Sequence, residues 1–200
     1  MKLLSAIPVR SYAKISYLRT VYKRLLTILT SLLCLSGNVS SAADIAGGIF
    51  NSPKGFGVSA DIKTSQNVVS LSLFADMYGV FSRKSDIPGI KAEIFFNREI
   101  LSRKLKYSTM ALYAGPGASL GYLRDFRKDS PSAMGMEVSV CADTGIEFIF
   151  REKVILDLSL ALDLGLFISP KADDGESPVR FYRNGGLQFI YPQLKIMFPF

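Results

Sequence analysis

The feature that most restricts the fold is a row of apolar residues at every second position from Val154 to Ile168. Val154, Leu156, Leu158, Leu160, Leu162, Leu164, Leu166 and Ile168 fill the even positions, while the odd ones include Asp157, Ser159, Ala161, Asp163 and Gly165. Successive side chains on a β-strand point to opposite faces, so the segment has one apolar face and one small or acidic face. A helix would scatter the same row around its circumference. The run is about 15 residues long, where ordinary strands hold nearer 5 or 6.

The preceding segment repeats the pattern. Met134, Met136, Val138, Val140, Ala142, Ile146, Phe148 and Phe150 oppose Gly135, Glu137, Ser139, Cys141, Asp143, Gly145 and Glu147. Only Arg151-Glu152-Lys153 separates the two runs, which predicts a tight hairpin of long strands. Weaker alternation marks Phe56 to Ile62, Val69 to Phe81, Ile90 to Phe96 and Tyr107 to Leu123, where Pro116 predicts a bend or bulge. Adding Ile45 to Phe50 and the C-terminal segment gives about eight strands, with ten as the alternative count. An even count puts both ends on one side. Loops 51–54, 82–88, 124–132 and 169–185 then fall on the far side, and links 64–67, 98–106 and 151–153 on the near side. Short turns on one side and longer loops on the other fit a transmembrane barrel.

The second face of each strand is rich in Gly, Ser and Ala with scattered Asp and Glu, a composition suited to a crowded, narrow lumen. The expected architecture is therefore all-β: an antiparallel up-and-down transmembrane β-barrel, closed so that no strand edge is left unpaired. The alternative is a soluble lipocalin-like periplasmic binding barrel, in which the apolar rows would point inward as a core.

Ahead of these strands, residues 25–35 form an apolar run preceded by Lys23 and Arg24 and followed by Gly37. A membrane-spanning helix needs about 20 apolar residues, so this run is too short to span and fits the apolar region of a signal peptide. Small residues at Ser41, Ala42 and Ala43 predict cleavage before Asp44. Residues 1–43 are thus read as a cleaved signal peptide and 44–200 as the barrel domain. Lipidation at Cys34 is the minor alternative, against which the bulky Leu33 stands. Residues 1–43 hold six bases, Lys2, Arg10, Lys14, Arg19, Lys23 and Arg24, and no acid. Of the 24 basic residues, 18 therefore remain to face all 17 acids, so the net charge of +7 does not support a nucleic-acid partner.

The last segment, Leu187 to Phe200, places Ile190, Leu194, Ile196, Phe198 and Phe200 on one face and stops at a phenylalanine. It resembles the C-terminal assembly signal of bacterial outer-membrane β-barrel proteins, with Leu194, Ile196, Phe198 and Phe200 as the signal residues. The glycine-rich stretch Tyr113 to Tyr122 is similar to segments of small porin-like barrels. Pro192 and Pro199 depart from an ideal closing strand, since proline cannot donate to the ladder. The resemblance implies a bacterial outer-membrane location, outer-membrane lipid as surroundings and the outer-membrane assembly machinery as partner. It does not fix an activity. Tyr78, Tyr107, Tyr113, Tyr122, Tyr182 and Tyr191 are candidates for an aromatic girdle, some of them being interior residues instead.

The chain has no histidine, which removes Ser-His and Cys-His nucleophile activation and His-ligated metals. No phosphate loop, paired-cysteine metal site or dinucleotide motif is present, so no catalytic residue, cofactor or metal is expected and the chain is read as non-enzymatic. On the inner face the expected acids are Asp61, Asp76, Glu93, Glu137, Asp143, Glu147, Asp157 and Asp163, against Lys63, Lys91 and Lys195. They imply either a lumen filled by paired charges or a narrow, cation-favouring pore. Segments 124–132 and 169–185 are polar and turn-rich, as an extracellular binding surface would be. The primary expectation is a structural or surface-interaction role.

Overall fold

A computed structural model describes residues 44–81, 87–124, 134–151, 153–169, 179–182 and 189–200. The expected signal peptide, 1–43, and most of loops 82–88, 124–132 and 169–185 lie outside these residues. The elements are β1 (Asp44–Ser52), β2 (Gly55–Thr64), β3 (Asn67–Asp76), α1 (Tyr78–Phe81), β4 (Gly89–Lys104), β5 (Ser108–Arg124), β6 (Met134–Phe150), β7 (Val154–Ile168), β8 (Val179–Phe181) and β9 (Ile190–Pro199).

Every pairing is antiparallel, and consecutive strands from β1 to β7 are neighbours. β9 closes the ring by pairing with β7 on one side and β1 on the other. The result is a closed, eight-stranded, antiparallel up-and-down barrel. β8 pairs with β7 only at Leu166–Ile168, beyond the stretch Ile155–Leu162 used by β9. It lies beyond β9 along the same edge of β7. The ten-strand alternative is not realised among the described residues.

The paired registers carry Ile45 through Ile62, Leu162 and Ile190, and the register of Ile196 with Ile49 then sets Ile190 opposite position 55. One circuit thus advances by about ten residues along β1, a stagger that tilts the strands and leaves an interior just wide enough for side chains to fill.

Side-chain direction follows the alternation. In β7 the even row, Leu158 to Ile168, is exposed, and Asp157, Ser159, Ala161, Asp163 and Phe167 are buried. β6 shows the same, with Met136, Val138, Val140 and Ile146 outside and Glu137, Ser139, Cys141, Asp143 and Glu147 inside. The apolar rows therefore form the outer wall, opposite to a lipocalin-like core.

The turns are tight. Ser65 and Arg151 adopt positive φ, 47° and 48°, where the chain reverses between β2 and β3 and between β6 and β7. At β1–β2 the Ser52 hydroxyl accepts from the backbone N–H of Lys54 and Gly55, at 3.2 and 3.3 Å. Gly48 is obligatory at the seam, because a Cβ there would lie 1.9 Å from the Ile196 carbonyl oxygen.

Three expectations need correction. The link placed at 98–106 is strand as far as Lys104, and the reversal takes only 105–107, closed by Leu105 N–H donating to Ser108 O at 2.8 Å. Alternation had faded there because a β-bulge between Glu99 and Leu101 inserts Ile100 and resets the faces. β1 is longer than Ile45 to Phe50 and pairs with β2 along its whole length. The irregularity at Pro116 is a lapse in the β4–β5 pairing between Phe95–Gly117 and Arg98–Ala114, while the bulge itself sits on the partner strand.

Candidate functional site: the charged barrel interior

The closed ring brings inward-facing residues from distant strands into contact. All eight acids singled out in the sequence, Asp61, Asp76, Glu93, Glu137, Asp143, Glu147, Asp157 and Asp163, are buried. Apart from Asp76 they form tiers along the barrel, with apolar residues packed among them.

The tier toward the longer loops centres on Lys91 of β4. Its ammonium lies 3.0 Å from Glu137 Oε1 and 3.8 Å from Glu93 Oε1 and also bonds Asp163 Oδ2. Lys54, in the β1–β2 turn, turns inward: its Nζ lies 3.0 Å from Asp163 Oδ2 and 3.9 Å from the centroid of the Tyr191 ring. The Tyr191 hydroxyl donates to Glu93 Oε1, and Gln193 Nε2 donates to Glu93 Oε2 at 3.2 Å. Ser139 donates to Glu137, and the Cys141 thiol to Asp163 Oδ1 at 3.5 Å.

The second tier lies nearer the start of β1. Lys195 Nζ is 3.4 Å from Asp157 Oδ2 and donates to Ser70 Oγ at 3.0 Å, and Ser70 in turn donates to Asp61 Oδ1 at 2.5 Å. The Tyr113 hydroxyl lies 2.7 and 2.8 Å from the two oxygens of Asp157, and Asn97 Nδ2 donates to Asp143 Oδ2 at 3.2 Å. Below it, Lys63 sits 3.5 Å from both Glu99 and Glu147. Asp76 belongs to neither tier: at the loop end of β3 its carboxylate accepts the Tyr78 N–H at 3.0 Å.

Phe95, Cys141, Ala161 and Tyr191 pack together in the interior, and Gln193 accepts from Ser159 Oγ at 3.4 Å while donating to Glu93, a polar link along the lumen. Leu123, Phe167 and Tyr182 close the loop end, and Ala46, Ile155 and Met197 the opposite end. Buried charges survive only when paired and hydrogen-bonded, and most of these are. The balance is nevertheless acidic, with eight carboxylates facing Lys54, Lys63, Lys91 and Lys195. Among the described residues, Glu137 Oε2 and Asp143 Oδ1 have no hydrogen-bond partner. No group of three or more His, Cys, Asp or Glu residues among those described could hold a metal ion.

Sequence reasoning left Lys54 in a loop and did not place Asn97 or Gln193 among the inner groups. Of the girdle candidates, Tyr107 and Tyr122 are exposed, whereas Tyr113, Tyr182 and Tyr191 are buried. Strand parity could have found two of these, since Tyr191 is in step with Gln193 and Lys195, and Tyr113 pairs with inward-facing Gly145. Of the proposed C-terminal signal residues, Leu194, Phe198 and Phe200 are exposed on the outer wall and Ile196 is half-buried.

No protein-family model matches the sequence, and neither does any curated protein. Among solved structures the fold is similar to that of the N-terminal β-barrel domain of Pseudomonas aeruginosa OprF, with a TM-score of 0.50 and 12% sequence identity over 80% of this chain and 98% of that chain. At that identity the likeness is one of fold.

Proposed function

We propose that the chain is a bacterial outer-membrane β-barrel with a structural or surface-interaction role and no enzymatic activity. The inverted distribution of polarity carries this reading: apolar rows cover the outside of the wall while lysines and carboxylates fill the inside. In water the exposed row Leu158 to Ile168 would be a large unfavourable apolar surface. In a bilayer it meets hydrocarbon, and a closed barrel leaves no backbone group unpaired there. Strands of 9 to 17 residues, tilted, are long enough to cross. On this reading residues 1–43 direct export and are removed, and the row Leu194, Ile196, Phe198 and Phe200 is recognised by the assembly machinery. Segments 124–132 and 169–185 then face the exterior, where a partner would bind.

A narrow cation-favouring pore is the second reading, favoured by the acidic excess and the unpartnered oxygens of Glu137 and Asp143. The close packing of Phe95, Cys141, Ala161 and Tyr191 inside the barrel weighs against it, because an eight-stranded lumen filled by side chains leaves little room for water and ions.

The test is fractionation of cells expressing the chain, followed by gel mobility of detergent-extracted protein with and without boiling. Recovery from the outer membrane with a heat-modifiable band supports the proposal. A soluble protein of ordinary mobility overturns it. Stepwise conductance in planar bilayers would move the pore to first place.

A further inference from the structure

Past Glu99 the second edge of β4 has no partner strand among the described residues. β3 last meets β4 where Glu99 N–H donates to Gln66 O at 2.8 Å. Beyond that point Leu101 to Lys104 pair with β5 alone, while β5 stays paired with β6 as far as Ser108 and Phe150, so residues 100–104 run past β3 on that one edge. All of residues 100–107 are exposed, Ile100 and Tyr107 at 65% each, together with Leu101 and Leu105. A hairpin standing in water has no reason to hold four apolar or aromatic side chains there. The bulge at Ile100 sharpens the point, because it brings Leu101 opposite Leu112 and so returns an apolar residue to the outer row after Ile94, Phe96 and Arg98.

Interleaved with these are exposed bases: Arg98, Arg103, Lys104 and Lys106, the last with Nζ 5.1 Å from the Tyr107 ring centroid. Arg151 and Lys153 are exposed on the next turn along the same rim. Glu99 is held by Lys63, and Glu152 lies outside the described residues.

We propose that this hairpin docks on the membrane surface, at the side of the barrel where β1 begins and β9 ends, and binds anionic phospholipid headgroups. The inference rests on the membrane reading above. Two observations select this occupant: Ile100, Leu101, Leu105 and Tyr107 place exposed apolar side chains at the rim end of the outer wall, and the bases between them match negatively charged headgroups. Tyr, Leu and Ile settle at the boundary between headgroups and hydrocarbon, while Lys and Arg reach outward along their stems to the phosphates. The attraction fades within a Debye length and is therefore sensitive to salt. Basic residues on the free edge of β4 also discourage edge-to-edge pairing, but that role alone gives no use to Ile100, Leu101, Leu105 and Tyr107.

The chain contains no tryptophan, so one introduced indole reports from a single place. Tyr107→Trp and, as a separate protein, Leu160→Trp are expressed from the full chain, extracted in detergent and reconstituted into vesicles of phosphatidylcholine alone or mixed with phosphatidylglycerol. Spin-labelled lipids then quench the fluorescence at shallow or deep positions. Trp at position 160 should be quenched by the deep label in both membranes. Trp at position 107 should be quenched by the shallow label and shifted to the blue in the anionic vesicles. That response should fall to the neutral-vesicle level at about 1 M salt, where the screening length is about 3 Å. It should also be lost when Arg103→Glu, Lys104→Glu and Lys106→Glu are combined. Deep quenching at 160 with a lipid-independent signal at 107 overturns the docking proposal and leaves the barrel reading intact. Absence of quenching at 160, or recovery of that protein in the soluble fraction, overturns both.

Discussion

Replacing Lys91 by methionine tests whether the interior is a packed, water-poor core. The side chain is fully buried, and its ammonium serves three carboxylates: Glu137 at 3.0 Å, Glu93 at 3.8 Å and Asp163 in direct contact. Methionine keeps most of the volume and removes only the charge. Lys54 then remains as the cation beside Asp163, 3.0 Å away, while Glu137 loses its lysine and Glu93 keeps Tyr191 and Gln193. Removing one partner of a buried ion pair costs about 3–5 kcal/mol, because the other charge stays buried without compensation. A loss at the low end is more than about a hundredfold in the folding equilibrium. Urea titration of the reconstituted protein, with the folded fraction read from heat-modifiable mobility, measures it directly. Adding Glu137→Gln to Lys91→Met should recover part of the loss by removing one uncompensated charge. A loss below about 1 kcal/mol is the range of solvent-exposed pairs. It would mean that water reaches Lys91, and the filled interior would be refuted in favour of a hydrated channel.

Three further outcomes follow from the wall and its seam. Leu160→Arg, in the middle of the outer row, should cost about 2–4 kcal/mol in lipid vesicles, and a loss near zero would place that face away from hydrocarbon. Gly48→Ala should lower the yield of heat-modifiable barrel or its urea midpoint, because the new Cβ would lie 1.9 Å from the Ile196 carbonyl oxygen at the closing β1–β9 pair. Unchanged folding would show that the seam can shift. Phe200→Ala should reduce recovery from the outer membrane of expressing cells while leaving refolding of the purified chain in detergent unchanged. The Phe200 side chain is exposed, and its N–H still reaches Ile45 O at 2.9 Å. Equal losses in both assays would assign Phe200 a purely structural part.

Much of the wall was legible because the period of two is insensitive to tertiary detail. Leu156 to Ile168 can alternate with Asp157 to Phe167 only as a two-faced strand, and the hairpin through Arg151 to Lys153 needed no more than the distance between two such runs. The reading weakened wherever the code lost its contrast. At Glu99 to Leu105 a single inserted residue, Ile100, changed the parity, and the surrounding bases resembled a loop. Lys54 was hidden because a two-residue turn gives no periodicity, and only the fold shows its stem bending inward over Tyr191. Tyrosine is ambiguous in principle, since its ring suits lipid and its hydroxyl suits a carboxylate. Tyr113 and Tyr191 took the second option and close hydrogen bonds to Asp157 and Glu93. Which acids share a lysine could not be read at all, because Lys91 with Asp163 and Lys195 with Asp157 depend on registers accumulated around the ring.

The arrangement also limits where a function could reside. The outer wall between the rims is aliphatic and aromatic, with Ala142 and Thr144 as small residues among the leucines, and such a surface selects for hydrocarbon and little else. The interior is filled by side chains, with the clusters of Phe95, Cys141, Ala161 and Tyr191, of Leu123, Phe167 and Tyr182, and of Ala46, Ile155 and Met197 among the charges, and its ion pairs join strands across the lumen. What remains is the two rims, where the chain is free of both constraints. At one rim β3, β5 and β7 end. At the other, β4 runs on through Ile100 to Lys104 with β5 as its one partner strand among the described residues, an extension that barrel closure does not require. A turn at Glu99, level with Gln66, would complete the β3–β4 pairing equally well, and the continuation past that point makes the rim hairpin, rather than the wall, the place to test for a role beyond closure.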